Sequence, residues 1–212
     1  MMKQSLTIIL VLLSFPVFAQ WEEVKLDSVV SFQLPKGYER TKSDSENNFV
    51  ARTAFGTILV FKAVDEAVVT PDIERDKHLS EYYKDYVDRV RSSTPDGKIT
   101  NEKDTLLGEL KVKDFTLEVD SGSGVQLRKF RILHANNATY TFEFLSQQLH
   151  DEYSLEDADK FFNSIKVNEN LAREDQFTTS TESTGSNNYW MFIAIGVVLI
   201  GLILYFVLRK KS

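Results

Sequence analysis

The chain has 212 residues, 42% of them hydrophobic, with 25 basic residues against 31 acidic ones, three histidines and no cysteine. That composition describes an ordinary globular domain with additions, and the missing cysteine excludes a disulfide framework, a thiolate metal site, a cysteine nucleophile and a lipidated N-terminal cysteine. A net charge of −6 argues against nucleic acid as a partner, whose binding depends on clustered Lys and Arg.

Residues 1–19 read as a secretory signal peptide. Lys3 supplies a positive start, Leu6 to Val17 is an apolar run, and Val17 and Ala19 are small enough for the −3 and −1 positions of a signal peptidase. Cleavage is expected after Ala19, leaving Gln20 as the new N-terminus; an uncleaved anchor is the alternative, for which the run is short. The folded domain is then expected over residues 20–167, a length that buries a stable core without metal or disulfide.

Strand signals dominate that domain. Residues 29–35 (VVSFQLP) alternate apolar side chains at Val30, Phe32 and Leu34, then turn at Pro35-Lys36-Gly37. Residues 49–53 and 57–64 flank Gly56 as a hairpin. Thr70-Pro71-Asp72 predicts the start of a helix, with Leu79, Tyr82, Tyr83, Tyr86, Val87 and Val90 forming its apolar stripe and the run from Ser92 to Gly97 ending it. Residues 110–119 and 125–134 follow as strands joined through Asp120 to Gly124. Asn136-Asn137 leads into a further strand over 139–145, with Tyr140, Phe142 and Phe144 on one face. A second helix is predicted from near Ser154, burying Leu155, Ala158, Phe161, Phe162 and Ile165. The order of strands, helix, strands, helix predicts an α+β domain with a layered antiparallel sheet.

From Asn168 to Asn188 the composition turns polar, with one Leu, one Ala and one Phe in 21 residues, so a flexible linker is expected there. Residues 189–208 (YWMFIAIGVVLIGLILYFVL) hold 20 residues without a charge, about 30 Å as a helix and enough to cross a bilayer. Tyr189 and Trp190 mark one membrane interface, and Arg209, Lys210 and Lys211 mark the other, in a basic tail over 209–212. The positive-inside rule then places the N-terminal domain outside the cell membrane, in the periplasm or at the cell exterior, and the tail in the cytoplasm. The short signal and basic tail look bacterial. No cell-wall sorting motif precedes the span, so a permanent single-pass anchor is the plainer reading. Without Lys3, Arg209, Lys210 and Lys211, residues 20–188 keep 21 basic and all 31 acidic groups, a balance of −10 that favours cationic partners or counterions.

The opening VSFQLPKGYE, the tyrosine-rich helix after the first hairpin, the long antiparallel strands and the closing FFNSIKV resemble the PsbP-like α/β/α sandwich fold, over about residues 24–167. That fold is shared by a photosystem II extrinsic subunit, a Ran-binding import factor and bacterial DcrB-type envelope proteins. The resemblance implies a non-enzymatic binding or assembly domain. It carries over no catalytic motif, and the C-terminal span departs from the soluble or lipid-anchored members.

A search of the residues for chemistry finds no catalytic set. Glu74, His78, Glu81 and Asp85 share one face of the first helix, where a divalent cation such as zinc would find a histidine with carboxylates. The competing reading is a solvated face interleaved with Lys77, Lys84, Arg89 and Arg91, and the spacing is not HExxH. Gly122-Ser123-Gly124 lacks a nucleophile elbow, and neither His134 near a strand end nor His150 in a loop has a visible serine partner. Tyr82, Tyr83 and Tyr86 read either as an interface patch or as residues packed onto the sheet, which their stripe position favours. Asn137-Ala138-Thr139 fits a glycosylation sequon, without weight in a bacterial protein.

The function expected is a membrane-anchored, extracytoplasmic, non-enzymatic binding or assembly module. It would need no cofactor and no metal, meet the bilayer through its C-terminal helix, and bind an envelope protein. A small-ligand or metal carrier of the envelope is the alternative, and a hydrolase ranks last.

Overall fold

The computed structural model describes residues 20–42, 46–65, 71–120, 122 and 124–178. The expected signal peptide with Ala19, the end of the expected linker, the apolar segment with Tyr189 and Trp190, and the tail with Arg209, Lys210 and Lys211 lie outside the described residues. Among the described residues no helix is long and apolar enough to cross a membrane.

The elements follow in the order β1 (Trp21–Lys25), β2 (Val30–Pro35), β3 (Glu39–Lys42), β4 (Glu46–Arg52), β5 (Gly56–Val64), α1 (Asp76–Ser92), β6 (Lys98–Leu107), β7 (Leu110–Asp120), β8 (Val125–Ala135), β9 (Ala138–Gln147), α2 (Asp151–Ser164) and β10 (Lys166–Val167). Seven strands form one antiparallel sheet in the order β3-β4-β5-β9-β8-β7-β6. A second sheet, β1-β2-β10, is also antiparallel. The domain is therefore α+β, with two helices and mostly antiparallel sheet.

Two hydrophobic cores flank the large sheet and define three layers. On one face, Leu79, Tyr82, Tyr83 and Val87 of α1 pack with Phe115 and Leu117 of β7 and Phe130 and Ile132 of β8. The other face meets a mixed layer, in which Phe32 and Leu34 of β2 join Ala158 and Phe161 of α2 over Phe49, Ile58, Val60, Tyr140, Phe142 and Phe144. Phe32 is the hub of that core, with edge-on rings of Phe49 at 5.6 Å, Phe142 at 5.9 Å and Phe161 at 6.3 Å, an arrangement that suits the ring quadrupoles.

Local sequence explains the joints. Asn136 and Asn137 both take left-handed backbone angles (φ 50° and 55°), which closes β8 onto β9 through a two-residue turn whose twist matches the strands. Helix α1 carries Asp76 in its first turn and Arg89 and Arg91 in its last, charges that complement its dipole.

Several expectations need correction. Helix α1 begins at Asp76, not at Thr70-Pro71-Asp72, because Ile73 is fully buried in extended chain and exchanges two backbone hydrogen bonds with Thr178. Helix α2 begins at Asp151 rather than near Ser154, whose hydroxyl is buried and donates to the Asp151 carbonyl. Leu155, expected in the core, is 43% exposed. Strands β1, β3, β6 and β10 lie where the sequence patterns predict no strand. β6 is an edge strand whose charged sequence, KITNEKDTLL, faces solvent along much of its length.

Residues 168–178, expected to open a flexible linker, are instead part of the folded domain. Leu171 packs on one core and Phe177 on the other, and Arg173–Gln176 forms a 3₁₀ turn with Gln176 fully buried. Composition missed this because the segment is held by polar side-chain bonds rather than by an apolar stripe.

Candidate functional site

Strand β9 is buried on both faces, and the two faces differ in chemistry. Tyr140, Phe142 and Phe144 enter the aromatic core, while Thr139, Thr141 and Glu143 point beneath α1. The tyrosines of α1 meet that polar row. Tyr82 and Thr139 share a hydroxyl hydrogen bond of 2.6 Å, and Tyr86 and Thr141 one of 2.8 Å. Tyr83 donates to the Lys111 carbonyl at 2.9 Å and accepts the backbone N–H of His134 at 3.0 Å. The trio thus packs onto the sheet, and burial raises the pKa of all three phenols.

Two ionisable pairs complete this layer, and neither was visible in the sequence. Arg128 of β8 grips Glu143 of β9 through two bonds, Nε to Oε1 at 2.5 Å and Nη2 to Oε2 at 3.1 Å, with both side chains buried. Burial opposes the Arg128 charge, but Glu143 holds its pKa above the ordinary value. At the far end of the layer, His134 Nε2 and Asp65 Oδ2 stand 3.6 Å apart, and neither atom has a hydrogen-bond partner among the described residues. His134 Nδ1 lies 3.3 Å from the Thr139 hydroxyl, so a chain of contacts runs from Asp65 through His134 and Thr139 to Tyr82. Burial pushes the Asp65 carboxyl up to about 6 and the His134 imidazole down to about 4. This set can hold a proton, but His134 has 0% exposure and offers no atom to a substrate in solution.

The exposed chemistry lies elsewhere. The turn from β4 to β5 presents Phe55, and the chain leaving β9 presents Leu149, His150 and Tyr153. Leu149 is 85% exposed, Tyr153 67% and Phe55 42%, the last with its ring 5.4 Å from that of Tyr153 and 5.5 Å from that of His150. Large apolar side chains gathered at one point of a surface mark an interaction site more often than scattered ones do. Gly56 lies directly behind Phe55, and the Phe144 ring fills the space where a side chain at Gly56 would begin.

The candidate metal face weighed above, Glu74, His78, Glu81 and Asp85, does not assemble: among the described residues no group of three histidine or carboxylate side chains is placed to hold an ion. Glu74, Glu81 and Asp85 point to solvent, Glu81 pairs with Lys77 at 3.7 Å, and Arg75 Nε donates to His78 Nε2 at 3.2 Å. Ser123 lies outside the described residues. Asn137 is exposed in its turn, and Gln20 is exposed, its carbonyl accepting the Lys36 N–H at 2.8 Å.

No protein-family model matches the chain, and no curated protein sequence matches it. Solved structures do resemble it. Cyanobacterial PsbP from Synechocystis sp. PCC 6803 is 10% identical with a TM-score of 0.52, the match covering 73% of this chain and 96% of that one. LpqN of Mycobacterium tuberculosis, described as involved in cell envelope biogenesis, is 12% identical over 70% of this chain and 90% of its own, with a TM-score of 0.42. The Ran-binding protein Mog1p of Saccharomyces cerevisiae is 8% identical over 76% and 100%, with a TM-score of 0.42. The likeness is one of fold, and the fold is PsbP-like.

Proposed function

We propose that this chain is a single-pass membrane protein whose PsbP-like domain, outside the cytoplasm, binds a partner protein of the cell envelope and performs no catalysis. In this reading residues 1–19 are removed as a signal, and residues 189–208 cross the bilayer with Arg209, Lys210 and Lys211 on the cytoplasmic side.

One observation supports the reading: the exposed apolar tip and Thr178, the last described residue, lie at opposite ends of the large sheet. Thr178 adjoins Ile73, and Gln176 two places before it bonds Lys111 at the start of β7 and His134 at the end of β8. Phe55 and Leu149 flank the other end, where Gly56 of β5 pairs with Ser146 of β9. The ten residues of β9 separate the two ends by about 30 Å. A domain held at Thr178 by residues 179–188 presents the tip away from the bilayer, toward other envelope components. Confinement near the membrane raises its effective concentration for a partner held there too.

The test is capture from native membranes by the full chain, tagged near Gly185, compared with a Leu149→Ala, Tyr153→Ala variant. A single stoichiometric envelope protein, retained by the parent and lost from the variant, supports the reading. An empty capture, or one indifferent to the substitutions, refutes it.

A further inference from the structure

The tip has a charged border that narrows what it can bind. Helix α2 carries Asp151, Glu152, Glu156, Asp157 and Asp159 against a single basic residue, Lys160. Asp151 is paired with Lys129 at 2.8 Å, and Lys160 lies over the Trp21 ring, 4.7 Å from its centroid. Glu152, Glu156, Asp157 and Asp159 make no ion pair among the described residues. Helical spacing puts three of them against exposed apolar residues: Glu156 and Asp157 are three and four places beyond Tyr153, and Asp159 is four beyond Leu155, while Glu152 is three beyond Leu149 in the chain. Arg52, the basic residue nearest Phe55 in the chain, is carried to the opposite face of the sheet by strand alternation, since Phe49 and Ala51 point into the core beside α2.

Resting on the binding reading above, we infer that the tip formed by Phe55, Leu149 and Tyr153 docks a segment of a partner protein that carries Lys or Arg next to an apolar side chain. The apolar side chain meets the exposed rings and Leu149, and the basic groups meet the four unpaired carboxylates. A bilayer containing anionic lipid is the poorer occupant, because those carboxylates repel its headgroups. Border charges of this kind act mainly on encounter rate and salt dependence, so the complex should weaken as salt rises.

The experiment places a photo-crosslinking benzoylphenylalanine at Tyr153 of the full-length protein in native membranes, with a second at Ser80 on the exposed side of α1 as control. The expected result is one adduct, from position 153 only, whose mapped peptide has a net positive charge. Its yield should fall about tenfold when Glu156→Lys and Asp159→Lys are combined, and similarly between 50 and 500 mM salt, scales set by electrostatic steering. Both substituted residues are exposed, so an unchanged thermal midpoint shows that the variant is folded. An adduct on a neutral or acidic peptide, or one indifferent to charge reversal and salt, overturns this inference and leaves the binding reading standing. Adducts with lipid alone, or none at position 153, overturn both.

Discussion

Gln176 Nε2 donates to the backbone carbonyl of His134 at 2.8 Å, across 42 residues of chain. The same amide donates to the Lys111 carbonyl at 2.9 Å, while Gln176 Oε1 accepts the Lys111 N–H at 2.8 Å and also meets the Arg173 guanidinium. One buried side chain thus satisfies backbone groups of two strands and clasps residues 173–178 to the sheet. Gln176→Ala leaves those groups unpaired in a dry site, at a cost of about 1–3 kcal/mol. We expect that loss in urea unfolding, with faster proteolysis within residues 171–178 and no change at the tip. Equal proteolysis of variant and parent would show that the clasp holds nothing.

The Arg128–Glu143 pair is wedged between α1 and the sheet, and its two halves are unequal to the whole. Arg128→Met strands the Glu143 carboxylate and should destabilise the fold by about 3–5 kcal/mol. Adding Glu143→Leu removes the stranded charge, so the double variant should recover most of that loss. Chemical denaturation of the single and double variants reads the difference. Additive losses would mean that the two groups do not depend on each other.

Period-two alternation in 139–145 correctly marks Tyr140, Phe142 and Phe144 as one face, but it leaves open what covers Thr139, Thr141 and Glu143 on the other. They are buried because α1 covers that face and its tyrosine hydroxyls satisfy them. The apolar stripe of α1 was legible for the same reason that β6 was not: one packs a whole face, and the other is a charged edge. Glu143 finds Arg128 diagonally across the β8–β9 register, in which Phe130 is its direct opposite, and no single strand reveals a register. The tip was illegible because Phe55 and Tyr153 are brought together only by the β5–β9 pairing.

Gly56 supports the tip from behind. A Cβ there would lie 2.4 Å from Cζ of Phe144, a fully buried ring, and 3.1 Å from the Leu145 carbonyl. Gly56→Ala must displace that ring or the strand, an overpacking that costs about 1–3 kcal/mol. Combining it with Phe144→Leu removes the clashing ring carbons, so the two losses should be less than additive in thermal unfolding. Full additivity would mean that the clash is not the cause.

Asp65 and His134 make opposite contributions to stability across the acid range. Burial raises the Asp65 carboxyl from 3.8 to about 6, so its contribution is fully present below pH 3.8 and is lost as pH rises through about 6. Burial also lowers the His134 imidazole from 6.5 to about 4, so its contribution is present above pH 6.5 and is lost as pH falls through about 4. Each shift corresponds to about 3 kcal/mol. Between pH 4 and pH 6 the folded pair holds its proton on Asp65 and the unfolded pair holds one on His134, so the two slopes cancel. Asp65→Asn should expose the histidine slope, and the variant should lose stability relative to the parent as pH is lowered from 6.5 toward 4. His134→Asn should expose the carboxyl slope, with relative stability falling as pH is raised from 4 toward 6. Urea unfolding at half-unit steps from pH 4 to pH 7 separates the two, and slopes of the same sign in both variants would rule out this exchange of one proton.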